Sequence, residues 1–208
     1  MTSALLVTGG DVPPRAVVAR RLAEFAFVCA ADSGLDVLRG WGIVPDLVVG
    51  DFDSIADPGV LVEYASVLRH PADKDETDTE IGVRELRGRG YDRVVLAGGG
   101  GGRIDHLLAI RSLLERPDGP DEWLTARERI VRIGGPASFE VGTGAVVSVF
   151  PLAGGASGMS SEGLAWPLDG LSWDAGGFGV SNRATGGTVR VDPGRRPLLV
   201  VLPLEGMG

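Results

Sequence analysis

Residues 46–80 read DLVVGDFDSIADPGVLVEYASVLRHPADKDETDTE, and the punctuation of this stretch decides the architecture. After Pro45 the run from Asp46 to Gly50 predicts a strand that opens into the loop Gly50 to Ser54. Asp57-Pro58 then supplies an N-cap and a first-turn proline, so a helix is expected to about Ser66. Val67 to His70 predicts a brief strand before the loop DKDETD. Thr77 or Asp78 caps a further helix, with Ile81, Val83 and Leu86 on its apolar face and Gly88 to Gly90 at its end.

The same alternation runs outward on both sides. Ala4 to Thr8 is a short apolar run ending in Gly9-Gly10, followed by helical spacing in RAVVARRLAEF behind Pro14. Phe25 to Ala30 predicts a second strand, closing on Ala31-Asp32-Ser33-Gly34, after which Leu35, Leu38 and Trp41 share a helical face. Downstream, Asp92 to Ala97 has the continuous apolar centre of a strand buried on both faces, then five glycines, Gly98 to Gly102, then a helix from about Ile104 to Leu114. Short apolar strands alternating with helices predict a mostly parallel sheet covered on both faces. Beyond about Pro117 the pattern becomes short β-type runs divided by glycine-rich turns, with no convincing helix, which predicts an antiparallel β-sandwich. The expected domains are 1–122 and 123–208.

Charge singles out the opening stretch again. It holds ten Asp and Glu against Arg69 and Lys74, a net of −8 that equals the net charge of the whole chain. The acidity is therefore local, and grouped hard carboxylates beside Gly and Thr suit a magnesium ion carrying a polyphosphate. Asp51 and Asp53 would point the same way if the chain were extended there, leaving Phe52 to pack behind them. Lys74 is the one lysine among 20 basic residues, a compact ammonium inside the acidic cluster. Asp32, Gly50 to Ser54, Lys74 to Asp78 and Gly98 to Asp105 all leave the carboxyl ends of expected strands, where open α/β sheets bind ligands. Five acids on one rim, Asp32, Asp51, Asp53, Asp78 and Asp105, would repel one another without a cation, although Asp32 and Asp78 serve equally well as helix caps.

The glycine run offers backbone amides to phosphate, and Arg103 a guanidinium, yet neither GxxxxGK[ST] nor GxGxxG occurs there. His70 and His106, the only histidines, form no zinc or catalytic-triad pattern. Cys29, alone in FAFVCAAD, reads as a buried strand residue and leaves no intrachain disulfide. The acidic balance argues against a nucleic-acid partner, and no apolar run matches a signal peptide or a membrane span, so a cytoplasmic protein is expected. In the second half, Trp166 in GLAWPL fits a core position on composition, or a stacking face for a planar cationic ring.

Taken in order, AADSG (30–34), PDLVVGDFDSI (45–55), DKDETD (73–78), GGRIDH (101–106), GLAWPL (163–168) and SNR (181–183) resemble the thiamine pyrophosphokinase family. The resemblance spans both halves of the chain. It implies a three-layer, Rossmann-like α/β domain and a C-terminal β-sandwich, working as a homodimer that moves the pyrophosphoryl group of ATP to thiamine and releases AMP. It places Asp32, Asp51, Asp53, Asp78 and Asp105 around Mg2+ and the pyrophosphate, with Asp51, Asp53, Asp78 and Arg103 as the catalytic set. Lys74, Asp75, Thr77, Arg103 and His106 fall on the ATP side, and Trp166, Ser181 and Asn182 in a thiamine pocket at the subunit interface. Ser33 and Ala165 depart from the family's usual ADGG and GLKW. The rival readings are a hydroxymethylpterin pyrophosphokinase on the same scaffold, a non-catalytic nucleotide or thiamine diphosphate sensor, and a metal-dependent phosphohydrolase.

Overall fold

A computed structural model describes residues 2–152 and 154–204, in which the chain divides into two compact units, 1–126 and 127–208. The first unit runs β1 (Ser3–Val7), α1 (Arg15–Arg21), β2 (Phe27–Ala31), α2 (Gly34–Trp41), β3 (Leu47–Gly50), β4 (Val67–Arg69), α3 (Asp78–Gly88), β5 (Arg93–Ala97), α4 (Ile104–Glu115) and β6 (Glu122–Leu124). Its strands lie in the order β6-β5-β1-β2-β3-β4, and every neighbouring pair is parallel. The expected division at 122/123 would cut β6, whose residues pair with Val95, Leu96 and Ala97 of β5.

Parallel order explains the apolar runs. Ala4–Val7, Cys29–Ala31, Leu47–Val49 and Val94–Ala97 are all buried, because helices cover the sheet on both faces. Helix α2 packs on β1 and β2, and α3 crosses β1, β2, β3 and β5. The close fit of α2 depends on Gly34, where an added Cβ would stand 2.0 Å from the Val7 carbonyl oxygen. From β1 the chain winds one way through β2, β3 and β4, then returns to place β5 and β6 on the other side of β1. The β1/β5 junction is thus the topological switch point of the sheet, the crevice where such folds take ligands.

Two local expectations change. The helix expected to about Ser66 is a short 3-10 turn, Pro58–Glu63: Asp57 caps it by accepting from the Gly59 amide, but Gly59 and two valines propagate an α-helix poorly and Tyr64 is already extended. Asp51 to Asp53 is not extended either. Phe52 adopts φ +69° and buries its ring beneath the Arg69 guanidinium, and of the two flanking aspartates Asp51 joins the acidic group while Asp53 is exposed.

The second unit is all β: β7 (Glu128–Ile133), β8 (Ala137–Glu140), β9 (Val146–Pro151), β10 (Ala156–Ser157), β11 (Ser160–Glu162), β12 (Ser172–Trp173), β13 (Gly179–Arg183), β14 (Thr188–Asp192) and β15 (Leu198–Pro203). Antiparallel pairs order β13-β9-β15-β7 in one sheet and β11-β14-β8 in another. Ile133, Phe139, Val147, Val149, Val189, Val191, Leu198 and Val200 form one core between them, which makes the unit a β-sandwich. Among the described residues no helix is long and apolar enough to cross a membrane.

Candidate active site

Three strand and helix ends bring acids together at the carboxyl rim of the first unit. Asp32 follows β2, Asp51 follows β3, and Asp78 opens α3; one carboxylate oxygen from each lies within 4.8 Å of the others. The backbone is shaped for this approach. Asp32 turns into α2 at φ +47° while its amide still bonds the Val49 carbonyl at 2.8 Å. Gly50, at φ +147°, passes so near that a Cβ there would sit 3.3 Å from the Asp32 backbone. Thr77 caps α3, its hydroxyl accepting from the Glu80 amide, which settles which of the two neighbours is the cap and leaves the Asp78 carboxylate for the rim.

Lys74 neutralises part of this charge. Its Nζ donates to Asp51 Oδ2 at 2.9 Å and stands 3.3 Å from Asp78 Oδ1, in ion-pair range but outside hydrogen-bond alignment. The hydrogen bond from Lys74 holds the Asp51 carboxyl below the usual aspartate range. Burial pushes Asp78 up, and the Asp51 and Asp32 carboxylates add to that push against the pull of Lys74. Asp32 Oδ1 and Asp78 Oδ1 are buried with no hydrogen-bond partner among the described residues. An all-oxygen set with two unsatisfied buried acceptors and excess negative charge is complementary to a hard divalent cation.

The remaining sequence-derived residues are distributed around this centre and do not all join it. Asp53 is exposed, with its carboxylate accepting from the Ser54 hydroxyl. Asp105 is exposed and pairs with Arg103, Nε to Oδ1 at 3.1 Å, and also accepts from the His106 amide. Asp75, Thr77, Arg103 and His106 are all exposed, and Arg69 holds the Asp51 carbonyl at 3.0 Å. In the glycine run, the amides of Gly98, Gly99 and Gly100 bond the carbonyls of Leu124, Gly9 and Asp11, so these three are occupied by the fold. Asp11 and Gly100 form a bridge across the switch-point crevice. Asp11 is thus a further acid at this crevice, and its place just after Gly9-Gly10, beyond the end of the first strand, is the sequence signal for it.

In the second unit Trp166 is 61% exposed, which removes the core reading of that residue. Ser181 is exposed at φ +60°, whereas Asn182 is buried.

Fold and rim together define a class: an α/β unit with an acidic, lysine-bridged centre at the carboxyl ends of its parallel strands, followed by a separate β-sandwich bearing an exposed tryptophan. The family model for the thiamin pyrophosphokinase catalytic domain matches residues 18–121, and that for the thiamin pyrophosphokinase vitamin B1 binding domain matches residues 137–194. The chain belongs to the thiamin pyrophosphokinase family. Its fold is similar to the crystal structure of thiamine pyrophosphokinase from Bacillus subtilis, at 20% identity and a TM-score of 0.84 over 98% of this chain and 100% of that one. A thiamin pyrophosphokinase family protein from Enterococcus faecalis aligns with a TM-score of 0.80 at 22% identity, covering 98% of this chain and 100% of that one. The Candida albicans thiamin pyrophosphokinase aligns with a TM-score of 0.72 at 16% identity over 98% and 89% of the two chains. No curated protein matches the chain in sequence.

Proposed function

We infer that this chain is a thiamine pyrophosphokinase: it transfers the pyrophosphoryl group of ATP to the hydroxyl of thiamine, giving thiamine diphosphate and AMP. The thiamine oxygen forms a bond to the β-phosphorus as the bond from that phosphorus to the α,β-bridging oxygen breaks, and the hydroxyl proton passes to a rim carboxylate, one of Asp51, Asp53 or Asp78. The observation that carries the reading is the convergence of Asp32, Asp51 and Asp78 beside Lys74, in a chain whose two halves match the family's two domains in order.

Asp32, Asp51 and Asp78 would hold Mg2+, with Asp53 and Asp105 acting at longer range. When bound, the ion neutralises phosphate charge and orients the pyrophosphate. The chain's own residues do the rest by positioning and charge compensation, which dominate phosphoryl transfer. Lys74 and Arg103 face the charge that develops on the phosphate oxygens. Asp75, Thr77 and His106 border the ATP side of the rim. Trp166 and Ser181 face the thiamine, the exposed indole stacking on its planar cationic rings. The domains work as catalytic and thiamine-binding parts, in a cytoplasmic homodimer with thiamine sites at the subunit interface; the exposed Phe178 and Val180, beside and on edge strand β13, support a self-association surface.

The test is AMP release by purified protein given ATP and magnesium, with and without thiamine. AMP and thiamine diphosphate formed only with both substrates is the expected result. ADP or phosphate released regardless of thiamine would instead identify a hydrolase. Turnover with a hydroxymethylpterin in place of thiamine would reassign the acceptor, and tight binding without turnover would identify a sensor.

A further inference from the structure

The segment Gly163 to Leu168 lies antiparallel beside the end of β13, and its hydrogen bonds change character at Trp166. The Thr185 amide bonds the Gly163 carbonyl at 2.8 Å, Leu164 bridges Ala184, and the Ala165 amide bonds the Arg183 carbonyl at 2.8 Å. At the next rung a side chain replaces the main chain. Asn182 Oδ1 accepts from the Trp166 amide at 3.1 Å, and Asn182 Nδ2 donates to the Trp166 carbonyl at 2.6 Å. Oδ1 also accepts from the Arg183 amide at 2.8 Å, so both its lone pairs are engaged and the carboxamide is held flat.

A β-bulge puts Asn182 where it can do this. Gly179 pairs with Val149 and Asn182 with Val147, so β13 carries one residue more than β9 between these rungs. Ser181 absorbs the excess at φ +60°, its amide donating to the Ser148 hydroxyl at 3.1 Å. The side chain of Asn182 is thereby turned inward opposite a buried valine and is 8% exposed, while Ser181 stays at the surface. Leu164 and Leu168, at 6% and 2% exposure, anchor the segment on either side. Trp166 therefore has a main chain fixed at both its N–H and its C=O beneath an indole that faces solvent.

We infer that Asn182 is a positioning residue that acts through Trp166: its carboxamide fixes the main chain so that the indole is a preformed stacking face, and it does not itself touch thiamine. This rests on the functional reading above and reverses the contact role implied by the SNR motif. Fixing an aromatic surface before binding removes an ordering cost that would otherwise weaken affinity.

Steady-state kinetics of W166A, N182A and the double variant test it, with calorimetric thiamine titration as a second readout. Each single variant should raise the thiamine KM about tenfold, the scale of one lost hydrogen-bonded or stacking interaction, with the ATP KM and the kcat at saturating thiamine near wild type. The double variant should be no worse than W166A, because Asn182 has nothing left to position. Should N182A fold poorly, N182D keeps the Oδ1 acceptor but turns an oxygen toward the Trp166 carbonyl, and the same non-additivity is expected. An Asn182 effect undiminished in the W166A background, or a fall in kcat with the thiamine KM unchanged, overturns the proposal. A wild-type protein that forms no thiamine diphosphate would instead sink the functional reading before any variant is compared.

Discussion

At the residue scale, the rim chemistry turns on oxygen atoms that have nothing else to do. Asp32 and Asp78 each bury an Oδ1 that accepts no hydrogen bond among the described residues, that of Asp78 standing only in ion-pair range of Lys74, and burying an acceptor without a hydrogen bond costs about 1–3 kcal/mol, so neither atom adds to stability where it stands. Asp32→Asn and Asp78→Asn are therefore expected to lower turnover by at least about a hundredfold, on the scale of losing one group that stabilises transition-state charge. Their thermal midpoints should stay near wild type, and activity retained in both would remove the metal-site assignment. Cys29 makes the opposite point. Burial pushes its thiol up to about 12, so it should resist a thiol-reactive chromophore in native protein and react promptly in denaturant. Its inertness was legible from FAFVCAAD alone, because an apolar strand leaves a thiol no means of ionising. The role of Asn182 was not legible, since a polar letter in a motif reads the same whether it faces a ligand or a backbone.

Elements are where local pattern and tertiary contact part company. Thr77 was one of two candidate caps, and only the fold shows its hydroxyl at the Glu80 amide, 3.2 Å away. Thr77→Ala should cost about 1 kcal/mol in chemical denaturation, with the loss concentrated in α3 as faster amide exchange in its first turn. Gly34→Ala should cost more, about 1–3 kcal/mol, because the new methyl would meet the Val7 carbonyl and α2 would have to lift from β1. The parallel strands were readable because apolar runs of this length are buried on both faces. The 3-10 turn at Pro58–Glu63 was not, since a cap and a proline announce where a helix starts but not how far it can continue.

At the scale of the whole molecule, charge is organised in two ways, one for function and one for folding. Apart from the rim, the first unit holds Glu122 at 1% exposure between Arg21, at 2.6 Å, and Arg93, at 2.5 Å, with Glu24 bonded to both arginines. Removing the buried carboxylate leaves both guanidinium groups with the more exposed Glu24 as their remaining acid in this cluster, so Glu122→Ala should destabilise by about 3 kcal/mol, which urea unfolding would measure. Burial raises Glu24, but the hydrogen bond and charge of Arg21 outweigh it and the net pKa is lowered. A carboxyl depressed in the folded state stabilises above its unfolded pKa, and that contribution fades as pH falls through the folded value. The urea midpoint should accordingly drop as pH is lowered below about 4, and less so in Glu24→Gln.

What the sequence determined by itself was everything carried by periodicity and order along the chain: a parallel α/β unit, a β-rich second unit, acids placed after strands, and six motif blocks in family sequence. These follow because strand burial and turn chemistry are local. Tertiary structure decided which acids meet. Asp32, Asp51 and Asp78 come from three separate elements and converge, whereas Asp53, two residues from Asp51, stays exposed outside that group, across a Phe52 that takes a left-handed backbone and buries its ring. It also decided that Trp166 is exposed and that Asn182 lies beneath it, since a one-residue bulge reverses which face of a strand a side chain occupies, and only pairing across strands sets that register.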